Sequence, residues 1–170
     1  MSTITETLTA EHALLNLLFD ELGRLLPQVR TVAELRLLTR LVTGLLSHHA
    51  DLEDNLAYAA LDHALAEKGQ LDRLYQDHHE IDQRFRAAAV AKELPEAVRL
   101  LQAGLKASRE HFRLEERTVF PLLEQQLSPA TLKTLGVMVS SNASPLGRHG
   151  FANALSARLR NTASRIEAHG

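Results

Sequence analysis

The ten residues HFRLEERTVF (residues 111–120) set an imidazole and a carboxylate, His111 and Glu115, four positions apart in a run whose apolar spacing is that of a packed helix. A matching phrase, HADLEDNLAY, occupies residues 49–58, with His, Leu, Glu, a second acid and an aromatic ring at the same offsets. Residues four apart lie one above the other on a helix, so His49 with Glu53 and His111 with Glu115 can each direct a nitrogen and an oxygen to one point. A third pair, His63 with Glu67, has the same spacing, so spacing alone does not single out a site. Position within the helices does.

Working outward from the two phrases, Leu8, Leu15, Phe19, Leu22 and Leu26 share one helical face, and Pro27 ends that first helix. Thr31 with Glu34 forms a capping box, after which Leu38, Val42, Leu45, Leu52 and Leu56 predict a long second helix to about Gly69. Leu71, Leu74, Ile81 and Phe85 mark a third, and Pro95 opens a fourth that runs to about Leu127. Four helices with short joints make an all-α, up-down-up-down four-helix bundle over residues 1–127. Residues 128–170 are expected to form a helical C-terminal extension. It holds a short amphipathic segment with Leu132, Leu135 and Val139, a breaker-rich stretch, and a last helix bearing Phe151, Leu155, Leu159 and Ile166. That extension carries five basic residues and one acidic one, a net +4 that leaves −6 for the bundle. A capping or dimerising appendage is the expected role, through which a second copy or a partner protein would bind.

In the first helix His12 replaces an apolar residue on the core stripe, and in the third His78 does so between Leu74 and Ile81. At about 1.5 Å per residue, His12 lies about 21 Å from the end of its helix and His49 about 25 Å from the start of the next. His78 and His111 give about 20 and 25 Å across the later joint. All four helices can therefore bring a histidine to one layer, provided the second helix overshoots that layer before the third begins. His63 and Glu67 fall in the overshoot. His48 and His79 are turned about 100° away from the core face, and His149 and His169 lie in or after loops. Tyr75 is expected to point toward the core, where ordinary packing is the favoured account of it and a hydrogen bond to a metal-bound ligand the alternative. Tyr58, nearly opposite His49 around the helix, is expected to pack elsewhere. Four histidines and two glutamates in one dry layer are costly to bury without a cation. The candidate metal ligands are thus His12, His49, Glu53, His78, His111 and Glu115.

Composition limits the chemistry. The 170 residues are 45% apolar, enough for one core, and contain no cysteine, which leaves only nitrogen and oxygen ligands for a metal. A net charge of −2 gives no electrostatic reason to expect nucleic acid as a partner. The first residues do not read as a signal peptide and no apolar run has membrane-spanning length, so a cytoplasmic protein without a membrane partner is expected.

With His, His-x-x-x-Glu, His, His-x-x-x-Glu in order on successive helices, the chain resembles the hemerythrin-like HHE cation-binding family. The resemblance covers about residues 3–127 and rests on EHALL at Glu11, HADLED at His49, DHHEI at Asp77 and HFRLEERTVFP at His111. It implies two non-haem iron ions joined by an oxo or hydroxo bridge, with His12, His49, His78 and His111 as terminal ligands and Glu53 and Glu115 as bridging carboxylates. Ferritin-like sites use Glu-x-x-His instead, and no histidine here has a glutamate three residues before it. Oxygen-carrying hemerythrins have a second histidine four residues after that of the third helix. Here that position is Asp82, which argues against reversible oxygen carriage and leaves each iron with an open position. The resemblance implies a protein that binds or senses O2 or a reactive oxygen or nitrogen species. Three alternatives stand beside it: a di-iron enzyme that decomposes peroxide or reduces NO, iron storage or iron-centre repair, and a helical interaction module without metal.

Overall fold

The computed structural model describes residues 2–66, 69 and 71–142 of the chain, and among these there are helices and no strand. Helix α1 spans Ile4–Leu25. Helix α2 begins at Val32–Leu52, widens into a π-helical turn over Glu53–Tyr58, and resumes as Ala59–Ala64. Helix α3 is Asp72–Val90. Helix α4 begins at Leu94–Leu114, widens over Glu115–Val119 and resumes as Phe120–Gln126; helix α5 is Pro129–Asn142.

Local chemistry sets the ends of these helices. Thr3 with Glu6 and Thr31 with Glu34 each make both bonds of a capping box, so α1 and α2 start with two of their orphan N–H groups satisfied. Pro27 lies in a 3-10 turn, Leu26–Gln28, that ends α1, and Pro95 occupies the first turn of α4. The π turn of α4 stands directly before Pro121. In a straight α-helix that ring would meet the carbonyl four residues back, and the wider turn takes up the conflict.

The buried apolar residues form two clusters. One gathers Phe19, Leu22, Val42, Phe85, Leu101 and Phe112; the other gathers Ile4, Leu8, Tyr58, Leu61, Phe120 and Leu123. Helix α5 adds Leu132 and Val139 to the second cluster and so packs on the bundle itself. Gly104 lets α3 and α4 close: a Cβ there would sit 3.1 Å from the Phe85 ring. Arg109 of α4 reaches back to α1, donating to Asn16 Oδ1 at 3.0 Å and to Asp20 at 2.6 Å.

Three expectations need adjustment. Leu45 is 39% exposed, and Leu46, on the inner side of the α2 stripe, is buried in its place. Helix α2 stops at Ala64 rather than near Gly69, whose φ of 79° belongs to the connection that follows. The helix expected at Phe151–Ile166 and the carboxylate of the third pair, Glu67, lie outside the described residues. The overshoot itself is present. Helix α2 runs about 22 Å past His49, whereas α3 starts only about 9 Å before His78. Exposed His63 lies in that excess length.

Gly136 marks where α5 meets the start of α1. A Cβ there would run into the Ser2 carbonyl oxygen and lie 2.7 Å from the Thr3 carbonyl carbon, both backbone atoms. Gly136→Ala should therefore destabilise the protein by about 1–3 kcal/mol through overpacking. Gly44→Ala, in open space on α2, should stabilise it by about 0.5–1 kcal/mol through helix propensity. Thermal melts of the two variants should move in opposite directions, and a Gly136→Ala melt at or above wild type would contradict this packing.

Candidate metal centre

Between the two apolar clusters lies one polar layer. His12, Glu53 and Glu115 are each 0% exposed, and His49 and His111 are nearly so. All four imidazoles turn Nε2 inward to the two glutamates. His12 Nε2 is 3.3 Å from Glu53 Oε1 and 3.5 Å from Glu115 Oε2. His49 Nε2 is 3.2 Å from Glu53 Oε1, His78 Nε2 3.3 Å from Glu53 Oε2, and His111 Nε2 3.4 Å from Glu115 Oε1. Each glutamate thus faces histidines from both halves of the bundle. The rings pair off, His12 edge-on to His49 at 4.8 Å and His78 edge-on to His111 at 4.5 Å between centroids.

Two groups of atoms could each hold a metal ion: His12, His49 and Glu53, and Glu53, His78, His111 and Glu115, with one atom per residue and all within 4.8 Å of one another. Glu53 belongs to both, as a carboxylate between two cations would. His49 Nε2, Glu53 Oε2, His111 Nδ1 and Glu115 Oε2 are buried without a hydrogen-bond partner. Buried polar atoms are nearly always satisfied; His49 Nε2, Glu53 Oε2 and Glu115 Oε2 face the centre of the layer, where a cation would satisfy them, whereas His111 Nδ1 faces outward.

The outer imidazole nitrogens meet a second set of acids. His12 Nδ1 bonds Glu116 at 3.0 Å, His49 Nδ1 bonds Glu11 at 2.8 Å, and His78 Nδ1 bonds Asp54 at 2.9 Å. His111 Nδ1 faces Asp77 at the longer distance of 3.7 Å. A carboxylate behind a metal-facing histidine fixes which nitrogen carries the proton and how the ring is aimed.

The family model for the hemerythrin HHE cation binding domain matches residues 3–123. The chain belongs to that family. No curated protein and no solved structure matches it. The hemerythrin HHE description implies binding of a metal ion, in keeping with the histidine and glutamate groups that converge here.

The six residues singled out from the sequence of this HHE domain all reach the layer, and the remaining described histidines do not. His48 and His63 are exposed, and exposed His79 bonds Gln83 at 2.7 Å. Asp82 turns outward to accept a 2.5 Å bond from Arg86. Tyr75 is 37% exposed and stands edge-on to Tyr58, so it lies at the rim rather than among the ligands.

Tyr58 is the correction of most consequence. It is wholly buried, donates its hydroxyl to Glu115 Oε1, and places its own Oη 3.5 Å from His111 Nε2. An unbroken α-helix would carry it to the far side of α2 from His49. The π turn over Glu53–Tyr58 advances by less rotation per residue and swings it back to the layer. Pro121 marks the corresponding turn in α4, whereas α2 has no proline there, so its widening leaves no such sign in the sequence.

The charges in this layer are unequal. Burial raises the pKa of Glu115, and the nearby charge of Glu53 raises it further, because two carboxylates in one dry site resist joint ionisation. Burial works against ionised Glu53 too, but the charge of His49 and the close approach of His12, His49 and His78 outweigh it and hold Glu53 well below the usual range. Burial would lower His49, yet Glu53 and the bond to Glu11 push it up to about 10. His78 goes against its burial in the same way, up to about 9, through Asp54 and Glu53. Burial and both glutamates raise Tyr58, so its hydroxyl stays protonated.

Metal-free protein therefore holds His49 and His78 as imidazolium at neutral pH. Their stabilisation is complete below about pH 6.5, the unfolded value, and is lost as pH rises through 9 and 10. The melting temperature of the metal-free protein should fall between pH 6.5 and 10. Metal-loaded protein, its histidines already deprotonated, should not show that fall. Melts across this range with and without metal test the assignment, and a flat metal-free profile would contradict it.

Proposed function

We propose that the chain holds two iron ions, one at the His12–His49 position and one at the His78–His111 position with Glu53 and Glu115 between them, and uses them to bind or sense O2 or a reactive oxygen or nitrogen species. The observation that carries this reading is the convergence of four Nε2 atoms on two fully buried carboxylates that leave buried polar atoms unsatisfied. When bound, the two irons would supply electrons and Lewis acidity toward small ligands. The donor set of nitrogen and oxygen suits iron, and the absence of cysteine leaves no thiolate to favour a softer metal.

The protein's own residues do three further things. A cavity of about 350 Å³ reaches from the surface to His49, His78 and His111, and so provides a route for a small molecule. Its inner wall includes Leu46, Phe85 and Phe112, which limit water around the histidines. Phe112 also lies flat on His12 at 4.1 Å, which holds that ring in place. Asp82, four residues after His78, is directed to Arg86, and among the described residues His111 is the imidazole that pairs with His78.

One observation favours turnover of peroxide or NO as a second reading. Tyr58 keeps a proton at Oη inside the layer, aimed at Glu115. A group that holds a proton beside a reacting ligand can deliver it, which a pure sensor does not need.

Iron-loaded wild type should contain about two irons per chain, and Glu53→Ala or Glu115→Ala about one or none. His63→Ala, remote from the layer, should match wild type. Stopped-flow mixing of the reduced protein with O2, NO and hydrogen peroxide then separates the readings. A lasting adduct supports binding or sensing; repeated consumption supports an enzyme, in which case Tyr58→Phe should keep both irons and turn over at least tenfold more slowly, within the usual range for a lost proton donor. Wild type that takes up no iron, or that loses as much to His63→Ala as to Glu53→Ala, would overturn the reading.

A further inference from the structure

The four outer acids are arranged as a closed cycle. Glu11 on α1 bonds His49 on α2, Asp54 on α2 bonds His78 on α3, Asp77 on α3 faces His111 on α4, and Glu116 on α4 bonds His12 on α1. Every one of these acids is the chain neighbour of an inner residue: Glu11 of His12, Asp54 of Glu53, Asp77 of His78, and Glu116 of Glu115. None of them bonds the inner histidine of its own helix. The aromatic ring that closes each repeated phrase follows the same rule. Tyr58 stacks on His78 at 5.5 Å and 12°, and Phe120 stacks on His12 at 5.4 Å and 22°.

We infer that Asp54 and Glu116 are crossed positioning residues, each orienting a metal-facing histidine of the opposite metal position from the one its own helix supplies. Asp54 lies on α2, the helix of His49, but it sets Nδ1–H of His78. Glu116 lies on α4, the helix of His111, but it sets Nδ1–H of His12. A carboxylate accepting from Nδ1–H leaves the Nε2 lone pair free and pointed inward, and makes that nitrogen a better donor to a cation. Glu11 and Asp77 act within a position, so of the four outer acids only the two crossed ones tie one position to the other, beside the inner glutamates that lie between both. The consequence is mechanical as well as electronic. The backbone that carries Glu53 or Glu115 into the layer also fixes a histidine on the neighbouring helix, so each half aims one histidine of the other.

This inference rests on the proposed metal reading and makes a claim that reading does not need. Asp54 and Glu116 are both partly exposed, with side chains 32% and 39% accessible, so neutral replacements there should fold. The full-length metal-free protein, labelled with ¹⁵N-histidine, would be titrated with zinc(II), and long-range ¹H–¹⁵N spectra would report which Nε2 atoms bind metal and which Nδ1 atoms hold the proton. At one equivalent, Asp54→Asn should fill the His12–His49 position first and Glu116→Gln the His78–His111 position first. The disfavoured position should bind about 10- to 100-fold more weakly. Asp54→Glu and Glu116→Asp should restore part of the loss, because the carboxylate returns. A wild type that binds two zinc ions while each variant weakens its own helix's position, or both positions equally, or neither, would overturn the inference and leave the metal reading standing. A wild type that binds no zinc would overturn both.

Discussion

The rest of this structure depends on two glutamates, Glu53 and Glu115, buried without access to water in one layer with four histidines. Neither carboxylate can shed its charge cost to solvent, and two of them side by side repel. Without metal the layer answers with protons on His49 and His78, with a raised pKa at Glu115, and with buried atoms that find no partner. Two cations would replace the protons of the two histidines and bind the inward-facing orphans at once. The apolar clusters on either side of the layer hold it dry, which keeps the electrostatic stakes high.

The repeated phrase accounts for how four helices meet this constraint. In each copy the histidine comes from a regular α-helix, the glutamate opens a π turn, the next acid reaches outward to a neighbouring helix, and the aromatic ring that closes the phrase stacks on that same helix's histidine. Ten residues thus contribute to both metal positions, and two copies close the ring. The copies differ where one ends in Tyr58 and the other in Phe120. That single hydroxyl makes the layer asymmetric, with a proton held on the side of His111 and Glu115 and none at the matching place near His12.

Much of this was legible in the residues. A capping box, prolines and apolar stripes located the helices, and a count of helical rise brought His12, His49, His78 and His111 to one level, because regular α-helices obey one rotation and one rise per residue. The misreadings lie where that regularity stops. Tyr58 was placed opposite the site because a π turn with no proline to mark it leaves no trace in apolar spacing. Leu45 and Leu46 exchanged roles because they flank the edge of a stripe, where tertiary packing rather than periodicity decides. The ring of outer acids was also unseen. Glu11, Asp54, Asp77 and Glu116 look like ordinary solvated charges until the neighbouring helix is in place, although their adjacency to four of the inner residues was a signal that could have found them.

A cavity of about 350 Å³ leads to three of the layer's histidines, and under the proposed function it would admit small ligands to a metal pair. The central claim is that two ions share the layer with Glu53 and Glu115 between them. X-ray absorption at the iron edge of the loaded protein tests this most directly. The account predicts a first shell of nitrogen and oxygen at about 2.0–2.2 Å, with a second iron as a scatterer within about 4 Å. A single isolated iron with no metal neighbour at that distance would contradict it.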